Sequence, residues 1–72
     1  MNLEKVKTEL MHHIGDNATI RAYLGRNKYE EYQVTIKEAY DRIFLVTIHS
    51  EKEDIKSFTY SDIITRTIRI RY

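Results

Sequence analysis

The chain has 72 residues, of which twelve are basic and eleven acidic, so its formal net charge is +1 at pH 7. This length suits one domain with one small hydrophobic core. The net charge is too low for binding nucleic acid through overall positive charge, so such binding would need basic residues clustered on one surface. The absence of cysteine excludes disulfides and thiolate metal sites and favours a reducing, cytoplasmic setting. No apolar run approaches a membrane span, and the charged amino end is not a signal peptide.

The amino-terminal segment predicts a helix within residues 2–14, running from about Leu3 to His13 with Asn2 as its N-cap. Apolar residues recur there at steps of three or four and form one stripe. The stripe consists of Leu3, Val6, Leu10 and Ile14. Gly15 then ends the helix. Because a single helix this short is unstable in water, its stripe must dock on the rest of the fold.

Residues 18–36 predict a β-hairpin, because apolar and polar side chains alternate on both sides of a glycine-containing turn. A three-residue loop, Gly25–Asn27, gives a register in which each face keeps its character except at Ala22, which lies opposite Glu30 near the hairpin tip. The register predicts the cross-strand pairs Leu24–Lys28, Ile20–Tyr32, Ala18–Val34, Tyr23–Tyr29, Arg21–Glu31 and Ala22–Glu30. A two-residue loop would place apolar residues opposite polar ones, since a slip of one residue swaps the faces.

The remainder of the chain predicts three more strands and one helical turn. The strands are Arg42–His49, Ile55–Tyr60 and Thr65–Tyr72, and the turn is Asp62–Ile64 with Ser61 or Asp62 as its cap. The first of these strands is almost continuously apolar, which indicates a strand covered on both faces. The last one alternates, so that Ile68, Ile70 and Tyr72 point inward.

A helix followed by five short strands, with a tight turn between the fourth and fifth, is the order of elements in Sm-like and SH3-like proteins. We therefore predict a mainly β protein: a single domain, 1–72, with an N-terminal α-helix and a small five-stranded SH3-like or Sm-like barrel over 18–72. In that architecture the fifth strand pairs with the first and the sheet closes on itself. A fold-level analogy of this kind lends function little support.

Several short pieces of the chain, in their order and spacing, also resemble a known family. They are Gly25-Arg26 with Lys28, Glu38 with Tyr40, Phe44 with Val46, and Tyr60-Ser61-Asp62 followed by Thr65 and Thr67. With these pieces the chain resembles the Veg family, small bacterial proteins found mostly in Firmicutes. The similarity runs from roughly Val6 to the carboxyl end, and the Gly-Arg and Tyr-Ser-Asp segments carry most of it.

The resemblance implies a compact, non-enzymatic protein linked to the control of gene expression. In the family this role is tied to stimulation of biofilm-matrix genes by countering a repressor. The family has no accepted catalytic or ligand residues, so none is carried over to this sequence. The chain departs from the family in its shorter carboxyl end and in Asn27, which lies in a loop that tends to be more basic.

The residues themselves predict neither catalysis nor a cofactor or metal site. His12 and His13 are neighbours on the predicted helix and point about 100° apart, while His49 lies on a distant strand and no cysteine assists. Ser61-Asp62 lacks a histidine at any motif spacing, and the chain has no G-x-S-x-G elbow. We therefore expect a protein that is not an enzyme.

Basic and aromatic residues predict a binding surface if the first and fifth strands pair. The candidate nucleic-acid or partner-binding residues are Arg21, Tyr23, Arg26, Lys28, Tyr29, Arg66, Arg69 and Arg71. Arginines interleaved with tyrosine suit phosphate contact and base stacking, which makes RNA or DNA one candidate partner. Against this, Glu31 would neutralise Arg21.

A regulatory protein partner is the competing prediction and the one that we favour. A small barrel leaves an open edge between its fourth and fifth strands, and such an edge pairs with other chains. The Tyr23–Tyr29 pair would add an aromatic anchor. The same edge leaves a homo-oligomer open as an alternative, and nothing in the sequence indicates a membrane partner.

Overall fold

The structure, a computed structural model, describes residues 2–72 as one five-stranded antiparallel sheet with two helices. The elements are α1 (Leu3–Met11), β1 (Asn17–Gly25), β2 (Lys28–Ala39), β3 (Ile43–Ile48), β4 (Asp54–Thr59), α2 (Tyr60–Ile64) and β5 (Ile68–Arg71). The strand order is β4-β3-β2-β1-β5. The mainly β architecture is thus confirmed. Within residues 2–72 no pairing joins β4 to β5, so the sheet is not closed and the predicted barrel is not confirmed.

Helix α1 begins as predicted but ends two residues early. The side chain of Asn2 caps it by accepting a hydrogen bond from the Lys5 N–H at 2.9 Å. Val6 and Leu10 are buried, whereas Ile14 is 46% exposed, so its assignment to the docking stripe was wrong. The reason lies at Gly15, whose N–H donates to the Ile36 carbonyl at 2.8 Å and so draws the chain away from the helix axis.

The β1–β2 register agrees with the prediction from Asn17 through Tyr23 and differs at the tip. Ile20 lies opposite Tyr32 and Arg21 opposite Glu31, but Gly25 rather than Leu24 is paired with Lys28. A bulge at this point absorbs the extra residue, and a two-residue turn, Arg26–Asn27, closes the hairpin. The bulge accommodates the one-residue difference at the tip. The side chains from Asn17 to Tyr23 therefore point to the faces that the sequence predicted.

Strand β3 is covered on one face only, contrary to the prediction. Phe44 and Val46 are fully buried, while Leu45 is half-buried and Ile43 is 37% exposed. Both helices contribute their buried residues to the same core as these inner side chains, so the opposite face of the strand stays in contact with water. Strand β2 also runs further than predicted, continuing to Ala39 past a bulge between Ile36 and Glu38.

Helix α2 is longer than the predicted turn and has a different cap. Thr59 caps it, since its Oγ1 accepts a hydrogen bond from the Asp62 N–H at 3.0 Å. Tyr60 is fully buried and its hydroxyl donates to the Tyr40 carbonyl at 2.6 Å. The chain then turns through Arg66, a non-glycine residue with φ of 63°, so β5 begins at Ile68 instead of Thr65.

The predicted pairing of β5 with β1 is confirmed, and it places Ile70 opposite Ile20. The inner face of the sheet and the two helices share one core: Val6, Leu10, Ala18, Ile20, Val34, Ile36, Phe44, Val46, Phe58, Tyr60 and Ile68. The rings of Tyr32 on β2 and Phe58 on β4 lie 6.4 Å apart although these strands are not neighbours. The sheet therefore curls around its core.

Candidate binding surface on the outer face of the sheet

The pairing of β1 with both β2 and β5 gathers charged and aromatic side chains on the face opposite the core. Odd-numbered residues of β1 point outward, because Ile20 and Ala18 point into the core. We call the outward set on these three strands the arginine–tyrosine face. It consists of Arg21, Tyr23, Tyr29, Glu31, Arg69 and Arg71. All of it except Glu31 was predicted as binding residues, and Glu31 was predicted as the partner of Arg21.

Arg21 lies at the centre of this face and is held by two neighbours. Its Nη2 and Nε donate to Oε2 of Glu31 at 2.9 and 3.3 Å. Its guanidinium carbon lies 4.4 Å from the centre of the Tyr29 ring. The hydrogen bond to Glu31 is the main reason why the pKa of Arg21 is raised above its ordinary value. Arg21 is therefore a fixed, already neutralised cation.

Tyr23 and Tyr29 connect Arg21 to the second arginine of the face. Their ring centres lie 5.9 Å apart in a tilted arrangement. The guanidinium carbon of Arg69 lies 5.8 Å from the Tyr23 ring. The four side chains thus form one row of successive contacts: Arg69 with Tyr23, Tyr23 with Tyr29, and Tyr29 with Arg21. The distances are typical of cation–π and aromatic pairs.

Unlike Arg21, neither Arg69 nor Arg71 forms an ion pair with an acidic residue among the described residues, 2–72. The ion pairs among residues 2–72 are Lys7–Asp41, His13–Asp16, Arg21–Glu31 and His49–Glu53. Arg71 lies opposite Thr19 on β1. The two arginines line a groove of about 410 Å³ whose other lining residues are Thr19, Arg21, Tyr23, Glu31 and Ile70. This groove therefore has an excess of positive charge.

Three of the predicted binding residues lie away from this face. Arg26 is in the turn of the β1–β2 hairpin and Lys28 begins β2, both exposed. Arg66 lies in the turn after α2 and lines a different groove. The structure thus brings together Arg21, Tyr23, Tyr29, Arg69 and Arg71 on one face. Arg26 and Lys28 lie at the hairpin tip, and Arg66 shares a groove only with Arg69 of this set.

A second groove, next to β5, was not predicted as a site. We call it the β5 groove; it has a volume of about 400 Å³ and is lined by Val6, Glu9, Ile63, Arg66, Ile68, Arg69, Ile70 and Tyr72. Sequence reasoning assigned Ile68 and Ile70 to the interior because their alternation says which face they take. The sequence analysis also predicted an open edge between the fourth and fifth strands. It did not predict a groove there, because the groove depends on where Val6 of α1 and Ile63 of α2 lie.

Tyr72 forms the carboxyl-terminal wall of the β5 groove. Its ring stacks on that of His13 with centres 3.9 Å apart and planes 11° apart. Loss of solvent around the hydroxyl, with a smaller effect of Glu9, raises the pKa of Tyr72 to about 12. Its surroundings therefore favour the uncharged phenol over the phenolate more strongly than water does.

Neither helix of the described residues has the length and apolar composition needed to cross a bilayer. Residues 1–71 match the protein-family model described as biofilm formation stimulator VEG. A comparison with curated proteins gives no match for the chain. Because the family match covers nearly the whole chain, from α1 to the last residue of β5, the predicted resemblance is confirmed: this chain belongs to the VEG family of biofilm formation stimulators.

Proposed function

We propose that the chain stimulates biofilm formation as a non-enzymatic regulatory module, which binds a protein partner through the arginine–tyrosine face and thereby changes the expression of biofilm-matrix genes. The description of its family supports the link to biofilm formation. One structural observation supports the mode of action: the continuous contact from Arg69 through Tyr23 and Tyr29 to Arg21. Tyrosine and arginine are the residues most enriched where single side chains dominate a protein interface.

The face is also prepared for binding before a partner arrives. Its side chains stand on hydrogen-bonded strands, and Arg21 is held by Glu31 and the Tyr29 ring. Immobilising a long free side chain at an interface costs about 0.5–1.5 kcal/mol. The contacts within the face have already met part of that cost, while Tyr29 remains 51% exposed and open to a partner surface.

Nucleic-acid binding is the second candidate, and the absence of acidic partners for Arg69 and Arg71 within residues 2–72 favours it. Phosphate contacts need such free cations. The surroundings favour a protein partner more. Glu31 presents its carboxylate on the same face and neutralises Arg21, and Arg66 lies away from that face, lining the β5 groove. The continuous positive strip is therefore short.

The test compares two tyrosines of nearly equal exposure in a bacterial strain whose own copy of the gene is deleted. Tyr29 is 51% exposed on the arginine–tyrosine face, and Tyr40 is 48% exposed outside it. We expect Tyr29→Ala to lower biofilm mass and the activity of a matrix-gene reporter, whereas Tyr40→Ala supports both as the wild type does. Biofilm formation by Tyr29→Ala at the wild-type level would contradict the proposal.

The class of partner is tested by affinity purification of the tagged chain with and without nuclease. A protein partner stays bound after nuclease treatment and is lost in Tyr29→Ala. Loss of all bound material on nuclease treatment would instead support the nucleic-acid candidate.

A further inference from the structure

Strand β5 is an edge strand: within residues 2–72 it pairs with β1 on one side and with no strand on the other. Along a strand of an antiparallel pair, residues that hydrogen-bond to the neighbouring strand alternate with residues whose N–H and C=O point away from that strand. The Tyr23 N–H donates to the Thr67 carbonyl at 2.9 Å, so Arg69 and Arg71 are the next residues that bond to β1. The N–H and C=O of Ile68 and Ile70 therefore point to the open edge, and no backbone bond within residues 2–72 occupies them.

The β5 groove lies along this edge and is apolar on its inner side. Val6 of α1 and Ile63 of α2 line it together with Ile68 and Ile70, and the rest of the lining is Glu9, Arg66, Arg69 and Tyr72. A chain segment placed beside β5 would have every second side chain pointing to this inner side. Those positions would be in contact with Val6 and Ile63, which selects apolar residues there.

The outer side of the same edge selects the opposite chemistry. Side chains at the intervening positions of an added strand would lie next to those of Arg69 and Arg71. Within residues 2–72 neither arginine forms an ion pair, although Glu9 lines the β5 groove with Arg69. Opposite charges on neighbouring strands stabilise a sheet, so carboxylates suit these positions.

We propose that the edge of β5 binds an extended segment of a partner protein as a sixth strand, with alternating apolar and acidic residues. The apolar side chains fill the β5 groove, and the carboxylates pair with Arg69 and Arg71. Main-chain hydrogen bonds to Ile68 and Ile70 give affinity, and the alternation gives specificity. This assignment rests on the proposed function, since it names the segment by which a protein partner is held.

A second copy of this chain fits the edge poorly. A second copy has two free edges, β5 and β4. Its β5 would place arginines beside arginines on the outer face, and like charges on neighbouring strands are destabilising. On β4 the inward positions are Asp54, Lys56 and Phe58, because Phe58 is buried and residues alternate. Two charges would thus enter the apolar groove, and Ile55 would face the arginines. The charge pattern of β4 is the reverse of the one required.

The test uses the full-length wild-type chain labelled with ¹⁵N and a fluorescent octapeptide of alternating valine and glutamate. We expect saturable binding by fluorescence anisotropy, with slower hydrogen exchange of the Ile68 and Ile70 amides when the peptide is present. An octapeptide of alternating valine and lysine should bind at least about tenfold more weakly, since it places like charges beside the arginines. A third peptide is the glutamate peptide methylated on every second backbone nitrogen, which removes the N–H groups that would donate to the β5 edge. It should not bind.

Three results would overturn the proposal: no protection of the Ile68 and Ile70 amides, equal binding of the methylated peptide, or equal binding of the lysine peptide. A fourth is dimerisation of the wild-type chain by light scattering with protection of those same amides, which would assign the edge to a second copy. None of these measurements involves the unknown partner. The proposal can therefore fail while Tyr29→Ala still lowers biofilm mass, and the failure of each proposal is distinguishable.

A pair of matched variants separates the edge from the rest of the sheet. Ile63→Glu introduces a carboxylate into the β5 groove and should reduce binding of the glutamate peptide at least about tenfold. Ile55→Glu, on the outer face of the opposite edge strand and 52% exposed, should leave it unchanged. An equal loss of peptide binding in both variants would contradict a site at β5. If Ile63→Glu fails to fold, the methylated peptide still tests the site on the wild-type chain.

Discussion

Arg21 of β1 and Arg69 of β5 lie directly opposite each other on the outer face of the sheet, although like charges on facing residues destabilise a β-sheet. Glu31 offsets this repulsion from the other side of Arg21, with its Oε2 2.9 Å from Nη2. Arg69 has instead the ring of Tyr23 at 5.8 Å. One arginine is thereby neutralised and fixed, and the other forms no ion pair within residues 2–72.

Replacing Arg69 should separate stability from function. In Arg69→Glu a carboxylate lies opposite Arg21, so the repulsion becomes an attraction. We expect a small increase in the urea concentration at the midpoint of unfolding, together with loss of partner binding and of biofilm stimulation. Arg26→Glu, an exposed position at the hairpin tip, is the control and should change neither. A lower midpoint for Arg69→Glu would show that the repulsion is already relieved in the native protein.

The docking of α1 is tested at Leu10, which is fully buried in the core. Leu10→Ala removes the buried side chain and leaves a cavity that the sheet closes only partly, so we expect a loss of about 2–5 kcal/mol in the free energy of unfolding. Met11→Ala changes the next residue, which is 50% exposed, and should have almost no effect. Urea denaturation followed by circular dichroism measures both, and equal losses would argue against docking through Leu10.

The start of α2 distinguishes the cap that the structure shows from the caps that the sequence predicted. Thr59→Ala removes the hydroxyl that accepts the Asp62 N–H and should lower the free energy of unfolding by about 0.5–2 kcal/mol. Ser61→Ala changes a predicted cap whose side chain does not cap the helix, and its effect should be smaller. The reverse order in thermal or urea unfolding would place the helix start at Ser61.

Tyr72 predicts a loss of stability at high pH. Its pKa is about 12 in the folded chain and 10.0 for the free side chain. Between these two values the unfolded chain releases the phenolic proton while the folded chain retains it. The contribution of Tyr72 to stability is therefore fully present below pH 10 and is lost as the pH rises toward 12.

The measurement is the urea midpoint between pH 9 and 12. Tyr72→Phe, which cannot ionise, should make the decline in this range less steep than in the wild type. Tyr29→Phe removes an exposed hydroxyl elsewhere on the sheet and should leave the decline unchanged. An identical pH profile for Tyr72→Phe and the wild type would refute the assignment.

The sequence by itself determined those features that depend on neighbours along the chain. The alternation in residues 18–36 allows only one register in which both faces keep their character, and the structure has that register up to Tyr23. The same alternation placed Arg69 and Arg71 outward, and the side chain of Asn2 identified the start of α1. In each case the physical signal is local, because it comes from backbone geometry and side-chain period.

Only the tertiary structure decided which faces and edges are covered. An apolar run such as Ile43–Ile48 looks the same whether one face is packed or both, and the position of the helices settled it. The groove beside β5, and the place of Arg66 in it next to Arg69, likewise depend on where α1 and α2 come to lie. Burial depends on contacts between residues that are distant in the chain, and the sequence of one strand does not determine which elements pack beside it.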